Sequence, residues 1–107
     1  MDIAVVCLNP AGLATARALA EALPDARLHG RTDDAEVVFT NTAEHLRSLF
    51  EAGTGIVGVF AAGILIRAVA PLLSDKRAEP PVIAVAVDGS SAVPLLGGHH
   101  GANDLAR

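Results

Sequence analysis

The sequence is poor in cysteine and in aromatic residues. Its 107 residues include one cysteine and three phenylalanines, and neither tryptophan nor tyrosine. Cys7 has no second cysteine with which to form an internal disulfide, which suits a reducing compartment, and we expect a cytoplasmic protein. Hydrophobic residues still make up 51% of the chain. The core must therefore be aliphatic, and one domain of this length can bury roughly two-thirds of its unfolded surface.

Basic stripes and long apolar runs are also lacking. The formal net charge is −4, so nucleic acid is not an expected partner. No apolar run approaches the roughly 20 residues that span a bilayer, and the first residues lack the basic flank of a signal peptide. We therefore expect no association with membranes.

Short apolar runs alternate with segments of helical spacing. Strands are predicted at residues 2–8, 27–29, 37–39, 56–60 and 82–87, and helices at 13–23, 43–52 and 61–73. Asp88-Gly89 is a hairpin signal, so residues 91–96 should return antiparallel, with Pro94 at an edge. The pattern predicts a small three-layer α/β domain with a mainly parallel, mixed sheet that ends in a C-terminal β-hairpin. It leaves the strand order open.

The first candidate site is the tail GGHHGAN. Its candidate residues are Gly97, Gly98, His99, His100, Gly101 and Asn103. Glycines let a backbone approach a ligand, and a helix beginning near Ala102 would direct free N–H groups at carboxylates. Histidine can act as an acid or a base near neutral pH, but adjacent histidines on extended backbone point opposite ways, so at most one would face a site. The alternative is a glycine-rich turn with exposed histidines.

The second candidate is the turn around Ala62 and Gly63, which follows a central strand and opens a helix. Ligands of open α/β sheets bind beyond the carboxyl ends of strands, and small residues leave room for them. Asn9 ends the first strand and would lie on the same edge if the two strands are parallel. Plain helix–sheet packing and a simple turn are the alternatives. The run GTGIVG at 53–58 leads into a strand, so it is not a dinucleotide fingerprint.

Arg67 is the third candidate, because it is the single charge on a predicted helix that is otherwise apolar. It could clamp an anion through its guanidinium group. It could equally be a surface arginine whose stem lies along apolar neighbours. No set of side chains suggests a separate metal site, so no metal cofactor is expected.

Three linked motifs occur in order between Gly58 and Arg107. They are the turn 61–64 followed by Arg67, the segment APLL with a charged loop at 75–77, and LLGGHHGAN at 95–103. Together they resemble the N-terminal region of the cobalamin biosynthesis protein CbiG family. Gly97 stands where that family has serine, and one glycine is missing before Ala-Asn. Because family members are much longer, the resemblance implies that residues 1–107 are a single N-terminal-like domain of a multidomain protein.

The resemblance implies a cobalt-precorrin-5A hydrolase of anaerobic cobalamin (vitamin B12) biosynthesis. That enzyme opens the ring-A lactone of a cobalt tetrapyrrole and releases acetaldehyde. Lactone opening needs an activated water and a stabilised oxyanion, and His99 or His100 is our hypothesis for the general base. Asn9, Arg67 and the glycines would bind substrate carboxylates. Cobalt would arrive within the substrate, with no other cofactor, and the partners would be further CbiG-like domains or other cobalamin-pathway enzymes.

Two other functions remain open at this point. The chain could be a non-catalytic module that binds the tetrapyrrole or assembles with other pathway enzymes, with the chemistry elsewhere. It could also be a small α/β domain that binds simple anions without preferring corrinoids. Whether this chain hydrolyses the substrate alone is not fixed by the sequence.

Overall fold

Strands and helices alternate along the chain as the sequence predicts. The computed structural model describes residues 1–73 and 79–97. Within them the elements are β1 (Ile3–Cys7), α1 (Leu13–Ala22), β2 (Ala26–Gly30), β3 (Val37–Val38), α2 (Thr42–Glu51), β4 (Gly55–Val59), α3 (Ala62–Val69), β5 (Val82–Val85) and β6 (Ala92–Leu96). Short 3₁₀ turns precede α1 at Pro10–Gly12 and follow α3 at Ala70–Leu72.

The sheet has the strand order β3-β2-β1-β4-β5-β6. The first five strands of that order are parallel to their neighbours, and β6 alone runs antiparallel, paired with β5. The α/β class, the mixed sheet and the terminal hairpin are therefore confirmed. Pro94 lies in the edge strand, beside the position where the register with β5 shifts. Proline has no N–H to donate to a neighbouring strand, so an edge or a bulge is where it is tolerated.

The helix boundaries follow from local chemistry. The Asn41 side chain accepts a hydrogen bond from the Glu44 N–H at 3.0 Å and so caps α2. The predicted helix at 61–73 is shorter, since α3 ends at Val69 and continues as a 3₁₀ turn that contains Pro71. Proline supplies no N–H for the helical ladder, which explains the change.

Helices cover both faces of the sheet. On β1, Ala4 and Val6 face the layer of α2 and α3, whereas Ile3, Val5 and Cys7 face α1. Because both faces are covered, all five residues of β1 are buried. The three phenylalanines all belong to the layer of α2 and α3, and the layer of α1 is aliphatic apart from Cys7.

The direction of β6 separates two edges of the sheet. We call the edge where the parallel strands end the carboxyl edge, and the opposite one the amino edge. Because β6 is antiparallel, Leu96 pairs with Val82, the first residue of β5, so the chain reaches Gly97 at the amino edge. Gly97 has φ +78° and lies against Pro80 and Pro81, where any side chain would overlap backbone atoms.

No helix in the described ranges is long and apolar enough to cross a membrane.

Candidate functional site

The centre of the carboxyl edge is a topological switch point. From β1 the chain moves through α1 to β2 and β3 on one side, and then crosses back to β4 on the other side. The ends of β1 and β4 are neighbours, with Cys7 paired to Val59. In open α/β sheets the crevice at such a point is the usual place for a ligand.

Asn9 and the start of α3 lie at this crevice. Asn9 is exposed two residues beyond the end of β1, and Ala62 and Gly63 begin α3 three residues beyond the end of β4. The sequence placed these residues on one edge on the condition that the two strands are parallel, and that condition is met. Their role as substrate-binding residues stays a prediction.

The first turn after β1 is held tightly against the neighbouring strands. A Cβ atom added to Gly12 would lie 3.0 Å from the Val59 carbonyl oxygen, so the backbone can approach this closely only with glycine. One turn later the Thr15 hydroxyl donates to the Val87 carbonyl oxygen at 2.7 Å. These contacts fix the beginning of α1 against the ends of β4 and β5.

The amino end of α3 carries no side-chain cap. Its N-cap residue is Ala61, which has no side-chain oxygen, in contrast to Asn41 at the start of α2. The Ile64 N–H donates to the Ala61 carbonyl oxygen at 3.1 Å. The first N–H groups of α3 and the positive end of its dipole are thus directed at the carboxyl edge, where they favour a negative group.

The Arg67 side chain folds back towards that same helix end. Its Nη1 atom would lie 3.2 Å from a Cβ atom added to Gly63, so the guanidinium group lies beside Gly63. A helical side chain leans naturally towards the amino terminus of its helix, which brings residues i and i−4 together. The carboxyl edge therefore holds an arginine and free backbone donors at the start of α3, and Asn9 follows the neighbouring strand β1 at the same edge. Such groups are suited to binding carboxylates.

The remaining predicted residues are not brought to this crevice. Gly97 lies at the amino edge, whereas Asn9, Ala62 and Gly63 lie at the carboxyl edge. Gly98, His99, His100, Gly101 and Asn103 lie outside the described residues.

A histidine pair that the sequence analysis missed lies between β2 and α2. His29 Nδ1 is 2.8 Å from His45 Nε2, so one ring donates a hydrogen bond to the other. The Phe39 ring stacks on His45 with centroids 4.4 Å apart. Within the described residues no group of three or more His, Cys, Asp or Glu side chains could hold a metal ion.

Burial keeps this histidine pair neutral. His29 is 8% exposed. Burial lowers its pKa from 6.5 to about 4, with further lowering by His45 and Arg27 and an opposite effect of Glu36. Burial also lowers the pKa of His45. At neutral pH both rings are therefore uncharged, and the unprotonated nitrogen of one accepts the hydrogen bond from the other.

The pair makes stability depend on pH below neutrality. An unfolded chain takes up a proton on His29 near pH 6.5, while the folded chain resists this until about pH 4. The free energy of unfolding therefore does not depend on His29 above the unfolded pKa. It decreases as the pH falls through this window, because the unfolded chain binds the proton first. We expect His29 to lower the free energy of unfolding by roughly 2 kcal/mol between about pH 7 and pH 5.

Urea denaturation of the wild-type chain and of His29→Gln at both pH values measures this effect. Glutamine keeps a hydrogen-bonding group but does not titrate, so the variant should lose less stability on acidification. Groups other than His45, which contacts residue 29, titrate alike in both chains and cancel in the comparison. Equal losses in the two chains would contradict the assignment.

The signal for this pair was present but could not be interpreted from the sequence. His29 ends a predicted strand and His45 lies on the first turns of a predicted helix. Their contact depends on α2 crossing over β2, and the apolar pattern does not fix the strand order that decides this.

Comparisons with known proteins place the chain among cobalamin biosynthesis proteins. Residues 44–107 match the family described as cobalamin synthesis G N-terminal. The chain is 37% identical over 113 residues to the cobalt-precorrin-5A hydrolase of Salmonella typhimurium strain LT2, covering 99% of this chain. It is 38% identical over 63 residues, 58% of this chain, to the cobalt-precorrin-5A hydrolase of Priestia megaterium.

A solved structure shares the fold. The crystal structure of a cobalamin biosynthesis protein G homologue from Sulfolobus solfataricus matches with a TM-score of 0.73, at 23% identity over 99% of this chain. The chain spans 31% and 17% of the lengths of the two hydrolases and 32% of the solved chain.

Proposed function

Because the chain belongs to the cobalamin synthesis G N-terminal family, we propose that it forms part of a cobalt-precorrin-5A hydrolase and binds the substrate at the carboxyl edge. In this function the ring-A lactone of the cobalt tetrapyrrole is opened by water, and a two-carbon fragment leaves as acetaldehyde. Both similar curated proteins carry the name of this hydrolase. The substrate is a small-molecule polycarboxylate, and its cobalt belongs to the substrate.

The observation that carries the proposal is the composition of the crevice between β1 and β4. The uncapped amino end of α3, the Arg67 guanidinium beside Gly63 and the Asn9 amide all lie at one edge of the sheet. Each favours a negatively charged or carbonyl oxygen over a neutral apolar group. A macrocycle edged with carboxylates matches this set better than a single small anion does, because the donors come from two separate strand ends.

Backbone donors at a helix end also suit the chemistry of lactone opening. Attack of water on the lactone carbonyl places negative charge on its oxygen, and preorganised N–H groups stabilise that charge without reorganisation. Ala62 and Gly63 could supply such donors if the lactone lies at α3, and Arg67 would then hold a neighbouring carboxylate. Water activation requires a base, for which His99 and His100 are the candidates from the sequence. Because Gly97, two residues before His99, lies at the amino edge, the donors at α3 and the histidine base are two separate hypotheses about where the lactone lies.

Acetaldehyde release tests this function. We expect the chain to bind cobalt-precorrin-5A. If the chain is active alone, it also releases acetaldehyde, and one of His99→Ala and His100→Ala loses turnover while still binding. Loss of a general base typically costs about 10²- to 10⁴-fold in rate. The other histidine variant is the matched control.

The outcomes separate two roles of the chain. Binding without acetaldehyde from the wild-type chain would support a substrate-holding module and move the chemistry to another part of the longer protein. A chain that neither binds nor turns over cobalt-precorrin-5A would contradict the proposed function.

A further inference from the structure

A hollow lies at the carboxyl edge between the ends of β1 and β2, next to the crevice between β1 and β4. It has a volume of about 130 Å³, and its apolar wall is formed by Cys7, Leu8, Leu13, Leu28 and Ala35. Several of these residues belong to the apolar layer beneath α1. Asn9 lines the same hollow, so the hollow borders the crevice between β1 and β4.

The rim of this hollow carries one arginine whose charge is not balanced by the nearby carboxylate. Asp34 accepts hydrogen bonds from Arg17 at 3.4 Å and from the Thr32 hydroxyl at 3.2 Å. Its negative charge is therefore paired with Arg17 and not with Arg31. Arg31 is exposed, and among the described residues its guanidinium donates to the Thr40 carbonyl oxygen alone, at 3.5 Å. In residues 1–73 and 79–97 the Arg17–Asp34 contact is the single salt bridge.

We propose that this hollow is a second subsite, which takes one apolar edge of a tetrapyrrole ring while Arg31 binds the carboxylate beside it. The inference rests on the proposed function and extends it to β2. The ligand class follows from the chemistry of the wall and the rim, which together fit a short hydrocarbon group that carries a carboxylate.

The size of the hollow limits what enters it. A cavity of about 150 Å³ holds a molecule of the size of benzene, so the hollow accommodates a few heavy atoms and excludes a whole macrocycle. The macrocycle must then lie outside, over the strand ends. Arg31 follows β2 and the start of α3 follows β4, with β1 between them, so the two strand ends that carry the donors are two strand spacings, about 10 Å, apart. Two carboxylates of one macrocycle can therefore be bound together.

Binding of cobyrinic acid, a corrinoid with free carboxylates, tests the subsite by titration calorimetry. Arg31→Gln should weaken binding about tenfold, the lower end for a hydrogen-bonded ion pair. Arg27→Gln is the matched control, because Arg27 is exposed on β2, the strand that Arg31 follows, and lies towards the amino edge. Ala35→Leu, which fills the hollow, should weaken binding similarly. The neutral methyl ester of the same corrinoid should bind the wild-type chain and Arg31→Gln equally.

Two failures can be told apart. If the wild-type chain binds and Arg67→Gln weakens binding, but Arg31→Gln and Ala35→Leu bind as the wild type does, only the second subsite is wrong. If the wild-type chain does not bind cobyrinic acid, the subsite fails, whereas the proposed function is judged separately by binding of cobalt-precorrin-5A. Thermal denaturation of each variant confirms that it is folded.

Discussion

Replacing Arg67 with glutamine is expected to weaken binding of cobalt-precorrin-5A at least tenfold. The guanidinium lies beside Gly63 at the uncapped end of α3, where helix dipole and side chain favour the same negative group. Hydrogen bonds to charged groups contribute about 1.5–3 kcal/mol, which corresponds to roughly a tenfold to hundredfold change in the dissociation constant. The affinity of Arg67→Lys should lie between those of the wild-type chain and Arg67→Gln, since lysine keeps the charge but not the planar pair of donors.

Arg47→Gln on α2 provides the control for the lost charge, because Arg47 lies outside the crevice. Both substitutions change the net charge equally, so an effect of overall charge would appear in both variants. Unchanged affinity in Arg67→Gln, measured by the absorbance change of the corrinoid on binding, would remove Arg67 from the site.

Replacing Leu65 with alanine is expected to cause the largest loss of stability among the changes considered for α3. Leu65 is fully buried, and its Cδ1 atom lies over Gly58, where an added Cβ would be 2.8 Å away. A leucine removed from such a site costs about 2–5 kcal/mol, because the cavity closes only in part. The free energy of unfolding of a domain is only about 5–15 kcal/mol, so this is a large share.

Ile66→Ala is the matched control for the Leu65 variant. Ile66 is the next residue of the same helix, but it is 51% exposed. Its loss should cost less than about 1 kcal/mol in urea denaturation. Comparable losses for both variants would show that α3 does not pack on the sheet as described.

The sequence predicts the elements of this fold well, because each carries a local signal. The alternation of apolar runs, the stop at Pro24, the cap at Asn41 and the Asp88-Gly89 hairpin all act within a few neighbouring residues. Strand order has no such signal, since β1, β4 and β5 are all buried apolar runs and could exchange places without altering the pattern.

That difference decides which parts of the candidate site were predictable. Asn9, Ala62 and Gly63 follow parallel strands, so a general rule places them on one edge without the full topology. The neighbourhood of Arg31 and the contact of His29 with His45 depend on β2 lying between β3 and β1, which only the folded structure shows. Gly97 is reached through an antiparallel strand, and this direction alone takes it to the opposite edge.

The most direct test of the central claim is to map where a corrinoid contacts the chain. Amide chemical shifts of ¹⁵N-labelled protein, recorded during titration with cobyrinic acid, report this residue by residue. We expect the largest changes at the carboxyl edge, at Asn9, Gly12, Ala62 and Gly63. Changes concentrated instead at the amino edge, at Thr54, Gly55 and Gly97, would contradict a binding site between the ends of β1 and β4.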